Sequence, residues 1–359
     1  MKTNVLCGFA YTLFAVLLIT AGCDKAPAGK KADPSDPPKV APAKLEIVFG
    51  SASSDLEDPK AAGEAAAKAA KVKIGNAPLQ AVIVSECYED REYKEKVLAG
   101  VCSVFDKEKV HGLATYGSFT QSGVAGGESV TVLAIAGKDI SVSAACQKEM
   151  GASKLTMADN EAAIKEKLMA AGAALAKQLP KSDSTRLLII LADAHSPKNG
   201  FLVSGLQSVL GKDFPITGGS ANKNAGQTFV YYKGELLTDA AVGLCVSGDF
   251  KIAMAGRKAK ENDKVISTAK DAAQEVADQM KKQGVKPAGY LAFDCAGRKG
   301  KLKNVADELA AMKGVMGEAP QLFGTYNAGE IGPADVSEAK TEALSSGVGW
   351  HVMLTGIGW

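Results

Sequence analysis

One stretch of the sequence combines glycine, hydroxyl and amide residues in a way that could bind a small polar molecule. Gly218-Gly219-Ser220-Ala221-Asn222 follows an apolar segment, so its glycines would let backbone N–H groups approach a ligand while Ser220 and Asn222 add short polar groups. A tight strand-to-strand turn explains the same residues. No GxGxxG follows a strand and opens a helix, and the chain has no GxxxxGK[ST] loop, so nucleotide binding has no support.

A second stretch, Asp294-Cys295-Ala296-Gly297-Arg298, directly follows an apolar run. Arg298 could present its planar guanidinium to a carboxylate or phosphate, and Asp294 could orient that group or bind an ammonium. An Asp–Arg pair that only ties the loop to the next helix is the alternative. Cys295 would need a partner that stabilises its thiolate to act as a nucleophile, and a buried structural cysteine fits the same pattern.

A third stretch, Tyr326-Asn327-Ala328-Gly329-Glu330, ends another predicted strand. Tyr326 could stack on a ligand or hydrogen-bond to it, and Glu330 could accept a hydrogen bond from an amine. Glu330 could equally cap the residues that follow it or form a surface pair. Asp193 and His195 resemble half of a catalytic dyad, although a solvated turn explains them as well.

The composition excludes several other classes of protein. Of the 359 residues 46% are hydrophobic and 23% are charged, the balance of a soluble globular protein. The 42 Lys and Arg against 40 Asp and Glu give a net charge of +2 without a basic block, so we expect no nucleic-acid partner. Three histidines and seven cysteines without a CxxC pair give no reason to expect a metal or a cofactor.

The N-terminal residues 1–22 predict a signal peptide, because Lys2 precedes an apolar run and small residues lead into Cys23. Thr20-Ala21-Gly22-Cys23 resembles the lipobox of bacterial lipoproteins, which implies a lipid anchor on Cys23. An uncleaved membrane anchor is the alternative. Residues 23–44 are rich in proline and predict a semi-extended linker. We therefore expect a protein tethered in the cell envelope, facing the periplasm or the exterior.

The rest of the chain contains three similar segments, which must position the candidate residues. Gly112, Gly218 and Gly324 occupy equivalent places in these segments and lie 106 residues apart. Each segment begins with a continuous apolar run, typical of a strand buried on both faces, and helical spacing follows or precedes it. Lys233-Gly234 predicts a hairpin turn. We predict an α/β fold of three related strand-helix-strand repeats that form mixed sheets covered by helices.

Other local signals mark the ends of helices. Asp58-Pro59 is typical of a helix start, and the spacing from Val265 to Met280 indicates a helix that ends before Gly284.

The second and third segments resemble the FIST sensor domain (F-box and intracellular signal transduction). The resemblance rests on FPITGGSANKNAGQTFVYYKGELLTDAAVGLCVSG, FDCAGRKG and FGTYNAGEIGP, while HGLATYGSF and ESVTVLAI of the first segment fit more loosely. It implies an N-terminal FIST half at 45–255, with two repeats, and a C-terminal half at 256–359. It also implies sensing of small ligands, for which amino acids are the usual suggestion. The family is best known inside cells or joined to output modules, whereas we expect this chain to be exported.

These observations predict a membrane-tethered, extracytoplasmic sensor for a small polar ligand such as an amino acid, with a separate signalling partner because we expect no output domain and no enzymatic activity. The candidate ligand-binding residues are Gly219, Ser220, Asn222, Asp294, Arg298, Tyr326 and Glu330. The alternatives are a solute-binding lipoprotein that serves a transporter and a cysteine-dependent enzyme that uses Cys295.

Overall fold

The computed structural model describes residues 46–224, 226–338 and 342–359. They belong to a compact unit that spans Leu45–Trp359. The predicted signal peptide, the predicted lipidation site Cys23 and the predicted proline-rich linker lie outside the described residues. No helix in the described part of the chain is long and apolar enough to cross a membrane.

Three units repeat one order of elements: strand, helix, strand, helix, strand, a segment of short strands and a final strand. Unit 1 contains β1 (Val48–Ser54), α1 (Pro59–Ile74), β2 (Leu79–Glu86), α2 (Arg91–Cys102), β3 (Val110–Ala114), β4 (Ser118–Thr120), β5 (Gly123–Val124) and β6 (Val130–Ala136). Unit 2 contains β7 (Ile140–Gln147), α3 (Met157–Gln178), β8 (Thr185–Ala192), α4 (Lys198–Leu210), β9 (Ile216–Ser220), β10 (Lys223–Asn224), β11 (Gln227–Thr228), β12 (Val230–Tyr232), β13 (Glu235–Leu237) and β14 (Ala241–Gly248). Unit 3 contains β15 (Lys251–Lys258), α5 (Asn262–Lys282), β16 (Pro287–Cys295), α6 (Ala296–Lys299), α7 (Val305–Met316), β17 (Gln321–Asn327), β18 (Glu330–Gly332), β19 (Ser346–Val348) and β20 (His351–Gly358).

Local sequence signals account for where several of these elements begin and end. The Asp58 carboxylate accepts a hydrogen bond from the Ala61 amide at 2.6 Å, so it caps α1 as its sequence predicts. Gly284 follows α5 with a φ of +68°, which glycine adopts without strain. Lys233 and Gly234 both have positive φ and join β12 to β13, which confirms the predicted hairpin.

Three six-stranded sheets carry the fold, each with parallel and antiparallel neighbours. In unit 1 the central strand β2 runs parallel to β3 and antiparallel to β6, and the other two units repeat this arrangement. The equivalent glycines occupy one register position, since Gly112, Gly218 and Gly324 lie opposite Val84, Ile190 and Ala292. The predicted α/β fold of three related repeats is therefore confirmed.

The units exchange their short strands in a cycle. The β12–β13 hairpin of unit 2 extends the sheet of unit 1, β18–β19 of unit 3 extends that of unit 2, and β4–β5 of unit 1 extends that of unit 3. Each sheet is therefore completed by the next unit, so no unit can form its full sheet alone.

A ring of hydrogen bonds joins the segments 114–117, 220–223 and 326–329, and we call it the central ring. The Asn222 amide donates to the Ala114 carbonyl at 3.0 Å, and the Tyr116 amide donates to the Tyr326 carbonyl at 2.8 Å. The Ala328 amide completes the cycle by donating to the Ser220 carbonyl at 3.0 Å. The donors are 106 residues apart and so are the acceptors, which gives the three units a common centre.

Alternate residues of each central strand face two different apolar layers. In β2, Ile83 points into a core shared by all three sheets, whereas Val82 and Val84 pack under the helices of unit 1. The strands β8 and β16 repeat this alternation. Burial on both faces explains why these strands are continuous apolar runs in the sequence.

We expect Gly112→Ala to destabilise the fold, because a β-carbon there would overlap the Val84 carbonyl of the paired strand. Overpacking of this kind typically lowers the free energy of unfolding by about 1–3 kcal/mol. Gly314→Ala is the matched control: its position is an exposed one within α7 with open space around it, so alanine should stabilise by about 0.5–1 kcal/mol. Urea unfolding of both variants measures this, and equal stabilities would contradict it.

Candidate functional site

The structure buries all seven residues that the sequence marks as ligand-binding candidates. Strand pairing places Gly219 opposite Glu330 at the contact between units 2 and 3, and it places Asp294 opposite Tyr326 within unit 3. The seven buried positions are Gly219, Ser220, Asn222, Asp294, Arg298, Tyr326 and Glu330.

The glycine-rich stretch is part of a strand and of the central ring. Gly218, Gly219 and Ser220 continue β9, because the edge of that strand pairs with β18. Ser220 donates its hydroxyl to the Ala194 carbonyl at 2.8 Å, and the side-chain amide of Asn222 donates to the Thr115 carbonyl. The Asn222 side chain therefore joins units 2 and 1, whereas the Ser220 hydroxyl bonds within unit 2, and direct contact of either group with a ligand stays a prediction.

The Arg298 guanidinium is surrounded by protein partners. Its Nε donates to Asp294 Oδ1 at 2.8 Å, and its Nη2 donates to Glu308 Oε1 at 2.7 Å. The same guanidinium donates to Thr268 Oγ1 at 3.0 Å and to the Val265 carbonyl at 2.9 Å, both on α5. Four of its five N–H groups are thus satisfied within the protein, which ties β16 to α5 and α7.

Two carboxyl groups share this one guanidinium. Asp294 Oδ2 and Glu308 Oε2 are buried without a hydrogen-bond donor among the described residues. Burial raises the pKa of both groups, and for Glu308, where the neighbouring Asp294 adds to the effect, it rises well above the usual range. Both shifts favour a proton shared within the cluster, since two buried negative charges beside a single cation would be costly.

Glu330 and Cys295 form a second buried acidic pair beside this cluster. Glu330 Oε2 accepts a hydrogen bond from the His351 amide at 3.1 Å, and burial raises the pKa of its carboxyl well above the usual range. Burial, followed by the nearby Glu330, raises the pKa of Cys295 to about 12. The thiol is therefore kept protonated, whereas a nucleophilic cysteine needs a lowered pKa.

Unit 1 carries a similar buried cluster at the equivalent register position, and unit 2 does not. Glu86 lies two residues beyond the strand position that pairs with the repeated glycine, as does Asp294 in unit 3. Lys94 pairs with Glu86 at 3.1 Å, and the Tyr231 hydroxyl donates to the same carboxylate. The corresponding residue of unit 2 is Ala192, so this unit has no acid to neutralise there.

A cavity of about 650 Å³ lies beside the carboxyl end of β8 in unit 2. In α/β sheets this edge is where ligands usually bind. The residues that line the cavity are Ser153, Lys154, Leu155, Thr156, Asp193, His195, Lys198, Lys223, Gly226, Gln227, Thr228 and Thr238. Its size and mixed polar lining are those of a small-molecule site.

The polar groups of this cavity are held in place by the backbone. Lys198 donates to the carbonyls of Ala152 at 3.0 Å and Leu155 at 2.6 Å, which leaves one of its three protons free. Asp193 Oδ2 accepts a hydrogen bond from the Asp239 amide at 2.8 Å, which leaves Oδ1 available.

His195 contributes an acceptor to the cavity. Burial lowers the pKa of its imidazole, so the ring is neutral at pH 7, and it hydrogen-bonds to the Ala221 backbone. Its Nε2 is buried without a partner among the described residues. A neutral imidazole that donates to a carbonyl through one nitrogen offers a lone pair on the other.

Sequence reasoning singles out Asp193 and His195 but misses Lys198, Lys223 and Thr228. These three come from α4, β10 and β11, and isolated Lys or Thr residues in such segments carry no recognisable pattern. Lys223 could have been found from its position in the sequence, because it directly follows the GGSAN stretch.

These features define a class of protein: a three-unit α/β fold with a polar cavity at the end of a strand. Residues 78–271 match the FIST N domain and residues 252–333 match the FIST C domain. The chain therefore belongs to the FIST family. FIST domains are sensory ligand-binding domains, which supports a sensor role. The predicted division of the chain at 255/256 stays a prediction.

Solved structures with a similar course of the chain include cyanuric acid hydrolase, with a TM-score of 0.43, 12% identity, and coverage of 87% of this chain and 99% of that one. Cyanuric acid hydrolase from A. caulinodans has a TM-score of 0.43 and 12% identity, with coverage of 86% of this chain and 98% of its own. T. maritima PurL gives a TM-score of 0.28 and 8% identity over 87% of this chain and 71% of its own. No curated protein matches the chain.

We expect Glu308→Gln to flatten the pH dependence of stability. In the unfolded chain Glu308 loses its proton near the ordinary Glu pKa of about 4.3. In the folded chain burial raises this pKa well above the usual range, so the proton is retained to higher pH. The free energy of unfolding therefore falls with rising pH by up to about 1.4 kcal/mol per pH unit for this proton. Glutamine removes that contribution and retains an oxygen for Arg298.

Urea unfolding between pH 5 and pH 8 measures this slope. The matched control is Glu318→Gln, which removes an exposed carboxylate paired with Lys313 at 2.9 Å. A Glu308→Gln slope equal to that of the wild type and of the control would show that Glu308 is ionised in the folded protein.

Proposed function

We propose that this chain is a membrane-tethered, extracytoplasmic sensory protein that binds a small polar ligand, an amino acid, in the cavity beside β8. The observation that carries the proposal is that one cavity is lined both by lysine side chains and by two acceptors that the protein leaves unused, His195 Nε2 and one oxygen of Asp193. Membership of the FIST family supports the sensory role.

An amino acid matches these groups at both of its ends. Its carboxylate would meet the ammonium groups of Lys198 and Lys223, and its ammonium would donate to His195 Nε2 and to the Asp193 carboxylate. Lys198 and Asp193 are already held by hydrogen bonds to the backbone, so these two side chains need little ordering on binding.

The position of the cavity suggests how binding would be relayed. Lys223 belongs to the central ring, and His195 hydrogen-bonds to Ala221 inside the same segment. A ligand that holds these residues would act on the central ring, where all three units meet. We propose that a separate signalling or transporter protein reads the result, because the predicted leader sequence places the domain outside the cytoplasm.

The first experiment is a thermal-shift screen of the full chain, in detergent, against amino acids, dicarboxylates, nucleotides and sugars. A ligand at a hundred times its dissociation constant stabilises a fold by about 2.7 kcal/mol, or a few degrees at this size. Asp193→Asn should weaken an amino-acid hit by about tenfold, because it removes the charge that faces the ammonium while an oxygen still accepts from Asp239.

Asp213→Asn is the matched control, since Asp213 is an exposed aspartate that does not line this cavity. It should leave the shift unchanged. A screen in which no amino acid shifts the melting temperature would refute the proposal, and so would full binding by Asp193→Asn.

The tether is tested separately. We expect Cys23→Ser to abolish incorporation of labelled fatty acid and to release the protein from the membrane fraction of a bacterial host, because serine lacks the thiol that the lipid would occupy. Cys7→Ser, within the same apolar leader, should leave both unchanged. Labelling that persists in Cys23→Ser would rule out the predicted lipid anchor.

A further inference from the structure

We infer that the ligand is an amino acid with an acidic side chain, an inference that rests on the proposed binding site. Three lysine side chains line the cavity, and Asp193 is the one acidic residue among its lining residues. His195 is neutral because burial lowers its pKa. A zwitterion of zero net charge would leave this excess of positive charge uncompensated.

The three lysines lack direct ion pairs, although Asp193 and Asp239 lie near Lys198. Within the described residues, no ion pair involves Lys154, Lys198 or Lys223. Lys198 binds two backbone carbonyls, which are neutral partners. Lys154 and Lys223 are exposed and free to turn toward a bound anion.

Asp239 is a second acidic residue close to Lys198, and it does not reverse the net positive charge around the cavity. Its Oδ2 accepts a hydrogen bond from the Gly151 amide at 2.8 Å, so this carboxylate is directed at the backbone next to the cavity. Even with Asp239 counted, the three lysines outnumber the two aspartates. The lysines also stand at the cavity wall, where a second carboxylate of the ligand would lie.

The acceptors of the cavity favour a ligand that also carries an ammonium. His195 Nε2 lacks a donor, and one oxygen of Asp193 is not used by the Asp239 amide. A plain dicarboxylate would leave both acceptors unsatisfied and would place a like charge near Asp193. Leaving buried acceptors unpaired weakens binding, so the amine should be selected together with the second acid.

Isothermal titration calorimetry of the full chain tests the inference with L-glutamate, L-glutamine and glutarate, and with L-aspartate and L-asparagine. We expect one acidic amino acid to bind at least about tenfold more tightly than its amide, and L-glutamate to bind more tightly than glutarate. Added salt should weaken binding of the acidic ligand more than that of the amide.

Lys154→Gln should lower the acid-to-amide ratio several-fold while it changes amide binding little, because Lys154 is the lining lysine that the common carboxylate does not need. Its matched control is Lys68→Gln, an exposed lysine on α1 of unit 1. The control should retain the full ratio.

The outcomes separate this inference from the proposed function. Equal or tighter binding of the amides would overturn the acidic ligand and leave amino-acid sensing intact. Glutarate binding as tightly as glutamate would overturn the need for the amine. Failure of every amino acid to bind would refute the proposed function itself, and with it this inference.

Discussion

Three backbone hydrogen bonds at the central ring fix how the units of this protein assemble. They occupy equivalent positions, and each runs from one unit to another, so the cycle closes only when all three units are present. Ala114, Ser220 and Tyr326, whose carbonyls accept them, are buried, where an unpaired carbonyl costs about 1–3 kcal/mol. The exchange of short strands follows from the same geometry, because each chain segment that leaves the ring continues along the sheet of the adjoining unit.

The three units share one backbone arrangement, but they differ in the buried charged residues at equivalent strand ends. Units 1 and 3 place a carboxylate, Glu86 or Asp294, at one strand end and satisfy it with a cation from the following helix. Such buried clusters bring little net stability, but removing one partner leaves an uncompensated buried charge, so each partner is required. Unit 2 has Ala192 there instead, and the cavity lies beside that strand end. The cavity described above therefore lies beside a strand end that has no buried ionic cluster.

The sequence is informative where the signal is local or periodic. The Asp58 cap and the Lys233-Gly234 turn depend on neighbouring residues, and the structure confirms the helix start and the hairpin that they predict. The 106-residue spacing is the periodic signal, and the three repeats that it predicts are confirmed. The exchange of strands could not be predicted, because an antiparallel pair has the same sequence pattern within a unit as between two. Arg298 shows the corresponding limit for a site: its partners Val265 and Glu308 lie on two other helices, so sequence alone could not tell a ligand-binding arginine from a structural one.

The buried candidates and the cavity nevertheless belong to one physical system. Asn222 bonds to unit 1 through its backbone and side chain, and Lys223, next in the chain, lines the cavity. Ser220 bonds to unit 3 through its carbonyl and to the Ala194 carbonyl, one residue before His195, through its hydroxyl. A ligand held between His195 and Lys223 would therefore bear on both of the contacts that unit 2 makes in the ring. Because a packed interior does not deform continuously, a small displacement there must be taken up by a neighbouring unit. Residues without access to solvent can in this way serve sensing as the connection between the ligand and the rest of the fold.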